Sequence, residues 1–545
     1  MVESRTRDEW SPRNERILWA LVAIGVALRT WQYLSDTSMW FDELSIARNI
    51  TERSFGQLLS QPLGFQQTAP IGFLAMLKIT SKILGPSDLA LRLFPFLCGI
   101  ASVFVFCRVA RRTLSGSAVP IAVAIFALSP PLIRYSAELK QYGCDVLAIL
   151  VLTLVGLSLC TRTPTVRECV RAGLIGAFTI LFSQAAVLVL AGIGAALTLR
   201  FALRWRELPR RVVLVTVPIW ACAAVIGLVM ARHYMTAHTI EFMHWFWRTR
   251  LGFLPLPTSA SGFALWTRDR FTQFFDAMSG YPVPLVYTLL CIAGFVVLWR
   301  RREVALILLG PIAVTFAAAV AQQYPFRMRV VLFLLPSLLI ATAAAMGWII
   351  DRLYAFSRPL GAGIAVAAMV PPLLAIGLTP PPYTAEPFKP ILAYVQAHRQ
   401  RGDRIYVYSN AFQAITRYGP QYGMPVGSYD AGTCDETTTG PYLTEVDRYR
   451  GAHRLWVIAS SVPDFRPPRR AIGKYLRTIG VVRDSIQRKS VAPLDPVSAE
   501  LFDLSDTARL RSATAATFTA KADTLHPLCF DWVYPTPADD DSLPR

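Results

Sequence analysis

The sequence predicts a polytopic all-α membrane domain, about 11 transmembrane helices plus interfacial helices, followed by a soluble α/β domain. Three observations predict it. Of the 545 residues, 53% are hydrophobic, and they gather in runs of about 20 residues, the length that crosses a bilayer. Those runs stop at Pro380-Pro381-Pro382. Beyond them, short β-type runs alternate with helix-type segments, the pattern of a small layered sheet.

Taken in order, spans are expected at 17–34, 92–110, 118–134, 143–160, 171–183, 185–203, 211–231, 283–299, 304–322, 329–350 and 360–379. Phe182-Ser183-Gln184 is the one turn signal between the fifth and sixth. The run 70–84 is short and carries Lys78 and Lys82, so it is read as lying on the membrane rather than crossing it. Residues 35–91 form a first outer loop with two interfacial helices on the membrane. Leu44, Ile46, Ala47, Ile50, Leu58 and Leu59 give it an apolar stripe, interrupted by Arg48, Asn49 and Glu52. A second outer loop, 232–282, holds Phe242, Trp245, Phe246, Trp247, Phe253, Trp266, Phe271, Phe274 and Phe275. Interfacial anchoring is one reading of these rings, and lining an entrance for lipid or sugar is the other. The membrane domain is 1–382 and the α/β domain 383–545, with strands expected at 404–409, 454–459 and 481–486 and helices at 388–400, 411–418, 441–450 and 468–479.

Arginines set the orientation. With the N-terminus inside, Arg108/Arg111/Arg112, Arg162/Arg167/Arg171, Arg200/Arg204/Arg206/Arg210/Arg211 and Arg300/Arg301/Arg302 all fall in cytoplasmic connections, a positive-inside pattern. Making 70–84 a span would put most of those clusters outside. The net charge of +19 therefore reports topology and attraction to anionic membrane lipids, and no nucleic-acid partner is expected. Residues 1–16 are charged, and the next run lacks a small-residue cleavage site, so it reads as an anchor rather than a signal peptide. The protein is expected in the inner (plasma) membrane, multi-pass, with its C-terminal domain extracytoplasmic. Cys434 and Cys529 would then lie in an oxidising compartment and form a disulfide. No CxxC or Cys/His spacing marks zinc, and His233, His238 and His244 are not at metal-binding spacing.

Two acidic clusters share the outer side of this topology. One is Trp40-Phe41-Asp42-Glu43, the other Tyr135-Ser136-Ala137-Glu138-Leu139-Lys140-Gln141-Tyr142, followed by Asp145. Charge at a membrane edge is costly, which makes these residues functional candidates. Helix capping is the competing role for Asp42, and charging a helix start the one for Glu43.

These motifs resemble a family of polytopic glycosyltransferases with the GT-C fold, including protein O-mannosyltransferases and the aminoarabinose transferases of lipid A. The matching pieces are Trp40-Phe41-Asp42-Glu43, Thr68-Ala69-Pro70-Ile71-Gly72-Phe73-Leu74, Gly85 to Arg92 and Pro95, Arg108 with Arg111-Arg112, and Ser129-Pro130 through Glu138 with Tyr142. The resemblance implies transfer of a sugar from a polyprenyl-phosphate donor to a lipid, glycan or protein acceptor on the outer face. It places Asp42 as general base or metal partner, so a divalent cation is the only cofactor it leaves room for. Where aminoarabinose-type members carry a Glu-Lys pair, this chain has Gln67-Thr68, which turns the phosphate-clamp role over to Glu138 and Lys140.

Glycosyl transfer needs a base for the acceptor hydroxyl, and Asp42, Glu43 and Glu138 are the candidates. It needs cations where the leaving phosphate gains charge, and Lys140, Arg134, Arg327 and Arg329 are the outer-face candidates. Trp40, Tyr135, Tyr142 and Gln67 are the candidate substrate-lining residues. Arg134 and Arg329 can equally anchor lipid phosphates, and Glu138 can pair with Lys140. A flippase or transporter of lipid-linked glycan, and a glycan polymerase or ligase, remain alternatives. Against the transporter, no internal repeat is evident.

Overall fold

The computed structural model describes residues 12–161, 164–203, 210–275, 283–434, 438–460, 466–490 and 495–518. The chain forms two compact units. One comprises Met1–Asp36, Ile50–Leu63 and Thr68–Pro382; the other comprises Thr37–Asn49, Gly64–Gln67 and Tyr383–Arg545. The acidic turn at Asp42 thus folds with the C-terminal domain.

The helices in chain order are α1 (Pro12–Leu34), α2 (Phe41–Glu52), α3 (Phe55–Ser60), α4 (Ile71–Leu84), α5 (Asp88–Thr113), α6 (Ala118–Ala127), α7 (Pro130–Arg134), α8 (Tyr142–Thr161), α9 (Val166–Ile180) and α10 (Ala186–Leu203). They continue with α11 (Val217–His233), α12 (Ala237–Thr249), α13 (Ala260–Gln273), α14 (Pro284–Leu298), α15 (Arg302–Val320), α16 (Leu335–Phe356) and α17 (Arg358–Leu378). Among the described residues, seven helical stretches are long and apolar enough to cross a membrane, or eight if the bent pair α6/α7 is one span. The sequence led us to expect eleven. The difference has two sources. Helix α9 has 15 residues, and the apolar part of α10 is only Ala186–Arg200, both short of a full crossing. Helices α14 and α15 follow one another in a 37-residue stretch, about 55 Å at 1.5 Å per residue if straight, which no bilayer core matches. A 3₁₀ turn at Trp299–Arg301 divides it, and Arg301 leaves the helical region with ψ 71°.

Charge sorts to the ends of the membrane unit. At one end Arg111 pairs with Glu15, Arg301 donates to the carbonyls of Thr113 and Arg112 that close α5, and Arg200 reaches both Glu303 and the Cys160 carbonyl. Arg111, Arg200 and Arg301, from three of the clusters read from the sequence as cytoplasmic, thus make their contacts at one end; Arg162, Arg204 and Arg206 lie outside the described residues. Cations also suit those helix C-termini, where carbonyls lack partners.

Helix α6 stops because Ser129 precedes Pro130-Pro131, which forces extended backbone at Ser129 (φ −71°, ψ 114°). The chain bends by 56° there. The freed carbonyls of Phe126 and Ala127 are met by Arg29 of α1, which is fully buried. Its guanidinium donates to Gly25 O at 3.0 Å, Ala127 O at 3.3 Å and Phe126 O at 3.4 Å, and lies 5.3 Å from the Phe126 ring centroid. Small residues let other helices cross closely. A Cβ added at Gly294 would lie 1.7 Å from the Ala341 carbonyl oxygen, so α14 and α16 touch backbone to backbone.

The other unit contains β1 (Arg404–Val407), β2 (Asp430–Ala431), β3 (Leu455–Ala459), β4 (Val481–Arg488) and β5 (Val497–Asp503), in the order β2-β1-β3-β5-β4. The first three strands are parallel, while β5 runs antiparallel to β3 and to β4. Helices α18 (Phe388–His398), α19 (Phe412–Tyr418), α20 (Gly440–Asp447) and α21 (Arg466–Ile479) complete it. Three strands and four helices fall where the sequence placed them. Strands β2 and β5 were not expected. Cys434 is disulfide-bonded; Cys529, its expected partner, lies outside the described residues.

Changing Arg29 to Leu is expected to lower the stability of the detergent-solubilised protein by about 1.5–3 kcal/mol, the scale of hydrogen bonds to a charged group. Unchanged thermal unfolding would show that the Phe126 and Ala127 carbonyls find other partners.

Candidate functional site

Helix α2 starts at Trp40, whose carbonyl accepts from the backbone N–H groups of Glu43 and Leu44 at 2.9 Å. Glu43 Oε2 accepts in return from the Trp40 N–H at 3.3 Å, and the Glu43 side chain is buried. This is the helix-start role foreseen for Glu43. Asp42, one residue earlier, stays partly exposed. Two adjacent carboxylates are thus divided, one committed to the backbone and one accessible.

The C-terminal domain holds this turn. Met39 N–H donates to the Tyr418 hydroxyl at 2.8 Å, Ser45 Oγ to Gln413 Oε1 at 3.2 Å, and Lys389 N–H to Ser38 Oγ at 2.8 Å. The stripe Leu44, Ile46, Ala47 and Ile50 is buried to 2% exposure or less within the protein. That corrects the expectation that α2 spends this face on lipid. Gln67 sits in a tight loop of the same unit, where Phe65 (φ 60°) and Gln66 (φ 52°) are left-handed, each at a cost of about 1–2 kcal/mol for a non-glycine residue. Asn49 pins the loop by exchanging two hydrogen bonds with the Gly64 backbone, and the Arg48 guanidinium lies 4.7 Å from the Phe65 ring centroid. Gln67 itself is buried and donates to the Phe65 carbonyl at 3.1 Å.

In the membrane unit, the Pro-Pro bend delivers the second cluster. Arg134 Nε lies 3.6 Å from Glu138 Oε2 and its guanidinium 5.0 Å from the Tyr135 ring centroid. Tyr135 meets Tyr142 edge to face with centroids 5.4 Å apart. Arg329 Nε donates to the Tyr142 hydroxyl at 2.9 Å. Lys140 is buried, its backbone N–H donating to the Glu138 carbonyl at 2.7 Å. Arg134, Tyr135, Glu138, Lys140, Tyr142 and Arg329 therefore form one cluster. Glu138 pairs with Arg134, one helical turn back.

Arg327 stands in a different group, which sequence reasoning did not assemble. Burial lowers its pKa, and the like charge of Arg250 adds to the effect. Arg270, on α13, is 3% exposed; its Nε and Nη1 have no hydrogen-bond partner among the described residues. Burial first, and then the charge of Arg327, push Arg270 down to about 10. Three guanidinium groups near one another, one of them deeply buried and without a carboxylate bridge, form an anion-seeking arrangement. The available signal was three arginines on either side of ring-rich helices. Those rings are partly core: Trp247, Phe253, Trp266, Phe274 and Phe275 are all buried, so interfacial anchoring does not account for them. Among the described residues, no group of three or more His, Cys, Asp or Glu side chains is arranged to hold a metal ion.

Residues 68–236 match the family model described as dolichyl-phosphate-mannose-protein mannosyltransferase. Over that stretch the chain resembles these membrane mannosyltransferases. The match begins at Thr68 and takes in α4 to α11 of this protein, including the Pro-Pro bend and the Glu138 cluster. Among solved structures, the chain resembles the Archaeoglobus fulgidus oligosaccharyltransferase crystallised with zinc and sulfate (13% identity, TM-score 0.48, 88% of this chain and 73% of that one). It also resembles AglB of the same organism, in complex with an inhibitory peptide and a dolichol-phosphate (11%, 0.48, 89% and 75%). ArnT from Cupriavidus metallidurans bound to undecaprenyl phosphate is a third likeness (12%, 0.41, 88% and 97%). No curated protein sequence matches the chain.

Because Arg270 is a buried cation beside like charges, Arg270→Met is expected to raise the thermal stability of the empty protein rather than lower it. A fall in unfolding temperature on that change would show that the arginine is structural.

Proposed function

We propose that the protein moves a hexosyl or pentosyl group from a polyprenyl-phosphate donor to a hydroxyl of a lipid, glycan or protein acceptor. The transfer takes place on the outer face of the inner (plasma) membrane, the side to which the arginine distribution assigns the first outer loop. The observation that carries this reading is that Asp42 is partly exposed at a helix start that Glu43 fixes from the next position. A partly exposed carboxylate at a fixed helix terminus suits a base that must meet a mobile acceptor.

In this reading Asp42 takes the proton of the acceptor hydroxyl as its oxygen bonds to the anomeric carbon. The bond from that carbon to the donor phosphate oxygen breaks, and the departing phosphate gains negative charge. Fixed guanidinium groups stabilise such a charge at little reorganisation cost. Arg270, whose pKa burial and then Arg327 lower while Asp269 offsets the effect only in part, and Arg327, whose pKa burial and then Arg250 lower, fit that task best. Arg329 is tied to Tyr142, and Arg134 to Glu138, so within the membrane unit these residues read as a packed polar cluster. Trp40 and Gln67 belong to the same unit as the acid.

Asp42→Asn should insert and bind donor normally while product formation falls by about 10²–10⁴, the scale of a lost general base. Glu43→Gln should cost much less, since a helix-start contact is worth about 1 kcal/mol. Near-normal glycan product from membranes carrying Asp42→Asn at matched protein level would sink the reading. Arg270→Met and Arg327→Ala should each weaken donor use about tenfold or more, one charge-assisted contact being worth about 1.5–3 kcal/mol. Donor titrations that superimpose on wild type would return both arginines to a lipid-anchoring role. For sidedness, reporter fusions after residue 302 should report cytoplasm and after residue 400 the outer compartment; a reversed pair contradicts it.

A further inference from the structure

Glu386 lies just before α18 and was not singled out by the sequence. It is 2% exposed. Ser460, at the end of β3, donates its hydroxyl to Glu386 Oε2 at 2.9 Å. Ser460 is fixed in turn: its N–H donates to Asn410 Oδ1 at 3.0 Å, and its carbonyl accepts from Asn410 Nδ2 at 3.0 Å and from Arg469 at 2.7 Å. On its other side, the Glu386 carboxyl faces α2, where the Phe41 N–H stabilises its charge while Asp42 and Glu43 oppose it. Oε1 is buried without a hydrogen bond of normal geometry. A third carboxyl, anchored in the sheet, thus abuts the acidic turn.

We propose that Glu386 is the positioning residue of Asp42. Through Ser460 it ties the acidic turn to the central strand of the C-terminal domain, and it sets the direction in which α2 presents Asp42. This rests on the reading of Asp42 as the base.

The charges support the arrangement. The groups facing Glu386 are Asp42 and Glu43 from α2, with the cation Arg469 of α21 behind Ser460 and Lys389 along α18 turned over the Tyr418 ring. Burial raises the Glu386 carboxyl to about 7, and the two neighbouring carboxylates push the same way. Near neutrality the carboxyl therefore holds a proton about half the time. In that form it adds no third negative charge to the turn. Ionised, it repels Asp42 and Glu43 and loosens the hold.

The sign of the linkage follows. A carboxyl raised from 4.5 to about 7 on folding binds its proton more tightly in the folded state, so its contribution to stability falls as pH rises through that window.

The test compares Glu386→Gln, Glu386→Asp and Glu386→Ala with wild type, from about pH 5 to about pH 9, at matched protein level in membranes. Turnover of wild type is expected to fall as pH rises through about 7. Gln copies the protonated form, so Glu386→Gln should keep turnover and lose that inflection. Its thermal unfolding should also lose the slope between pH 5 and 7. Glu386→Ala should drop kcat by about 10–100-fold, the cost of a misplaced catalytic group, with donor KM unchanged, and Glu386→Asp should fall between. A Glu386→Gln profile that keeps the wild-type inflection, or a Glu386→Ala enzyme that turns over at the wild-type rate, overturns the proposal. If Glu386→Ala fails to accumulate, the Glu386→Gln profile decides alone. Failure of the base reading looks different: Asp42→Asn would then form product normally.

Discussion

The cost of charge in an apolar phase is the constraint on which this structure depends. In the membrane unit, cations are drawn to helix ends, where unpaired carbonyls favour them. Arg301 on the end of α5 and Arg29 on the end of α6 are two instances of one solution. Arg29 is the sharper case. The Pro130-Pro131 bend exposes two carbonyls that neither water nor a continuing helix satisfies, and one guanidinium covers both. That same bend is what turns Tyr135 and Glu138 toward Tyr142, so a helix break, its cap and a polar cluster form one connected device. Arg270 breaks the rule, being buried beside other cations with two unpartnered nitrogens. Among the described residues neither nitrogen finds a partner, and an anionic group supplied from outside would satisfy both.

Much of this was legible in the sequence because the signals are local. Apolar runs, proline pairs and arginine clusters are read within one window of chain, and the helices they predict are present. So are β1, β3 and β4, each flanked by turn residues. The span count was less legible, because hydropathy alone does not tell a 15-residue helix buried by neighbours from one that crosses. Strand β5 was obscured for a similar reason. Val497-Ser498-Ala499-Glu500 looks weak in isolation and becomes a strand by pairing on both edges, with β3 and with β4.

The site was legible only in part. Asp42, Glu43, Glu138 and Tyr142 stand in short motifs whose residue types point to chemistry, and the structure groups them as two sets. Arg270 and Glu386 carry no local signal. An arginine in Trp266-Thr267-Arg268-Asp269-Arg270 reads as surface charge, and a glutamate in Tyr383-Thr384-Ala385-Glu386 reads as a linker. What makes each notable is burial and the charge of groups far away in the chain: Arg327 for one, Asp42 and Glu43 for the other. Long-range electrostatics is the property that a single sequence displays least.

The placement of α2 carries a consequence for stability and activity together. A 12-residue helix is marginal on its own in water, so what keeps Asp42 in place is packing rather than helix propensity. That packing is supplied by Leu44, Ile46 and Ala47 together with Tyr418, Gln413 and Lys389, residues hundreds of positions away. The domain after Pro382 is then a structural part of the acid loop, and not a separate module fused to a membrane enzyme. Damage to its sheet near Ser460 would reach Asp42 through Glu386 before it reached any span. A carboxylate held this way takes its position from a packed α/β core, where packing is dense and directional, while the lipid-facing helices are left to provide the barrier that keeps charge at the ends.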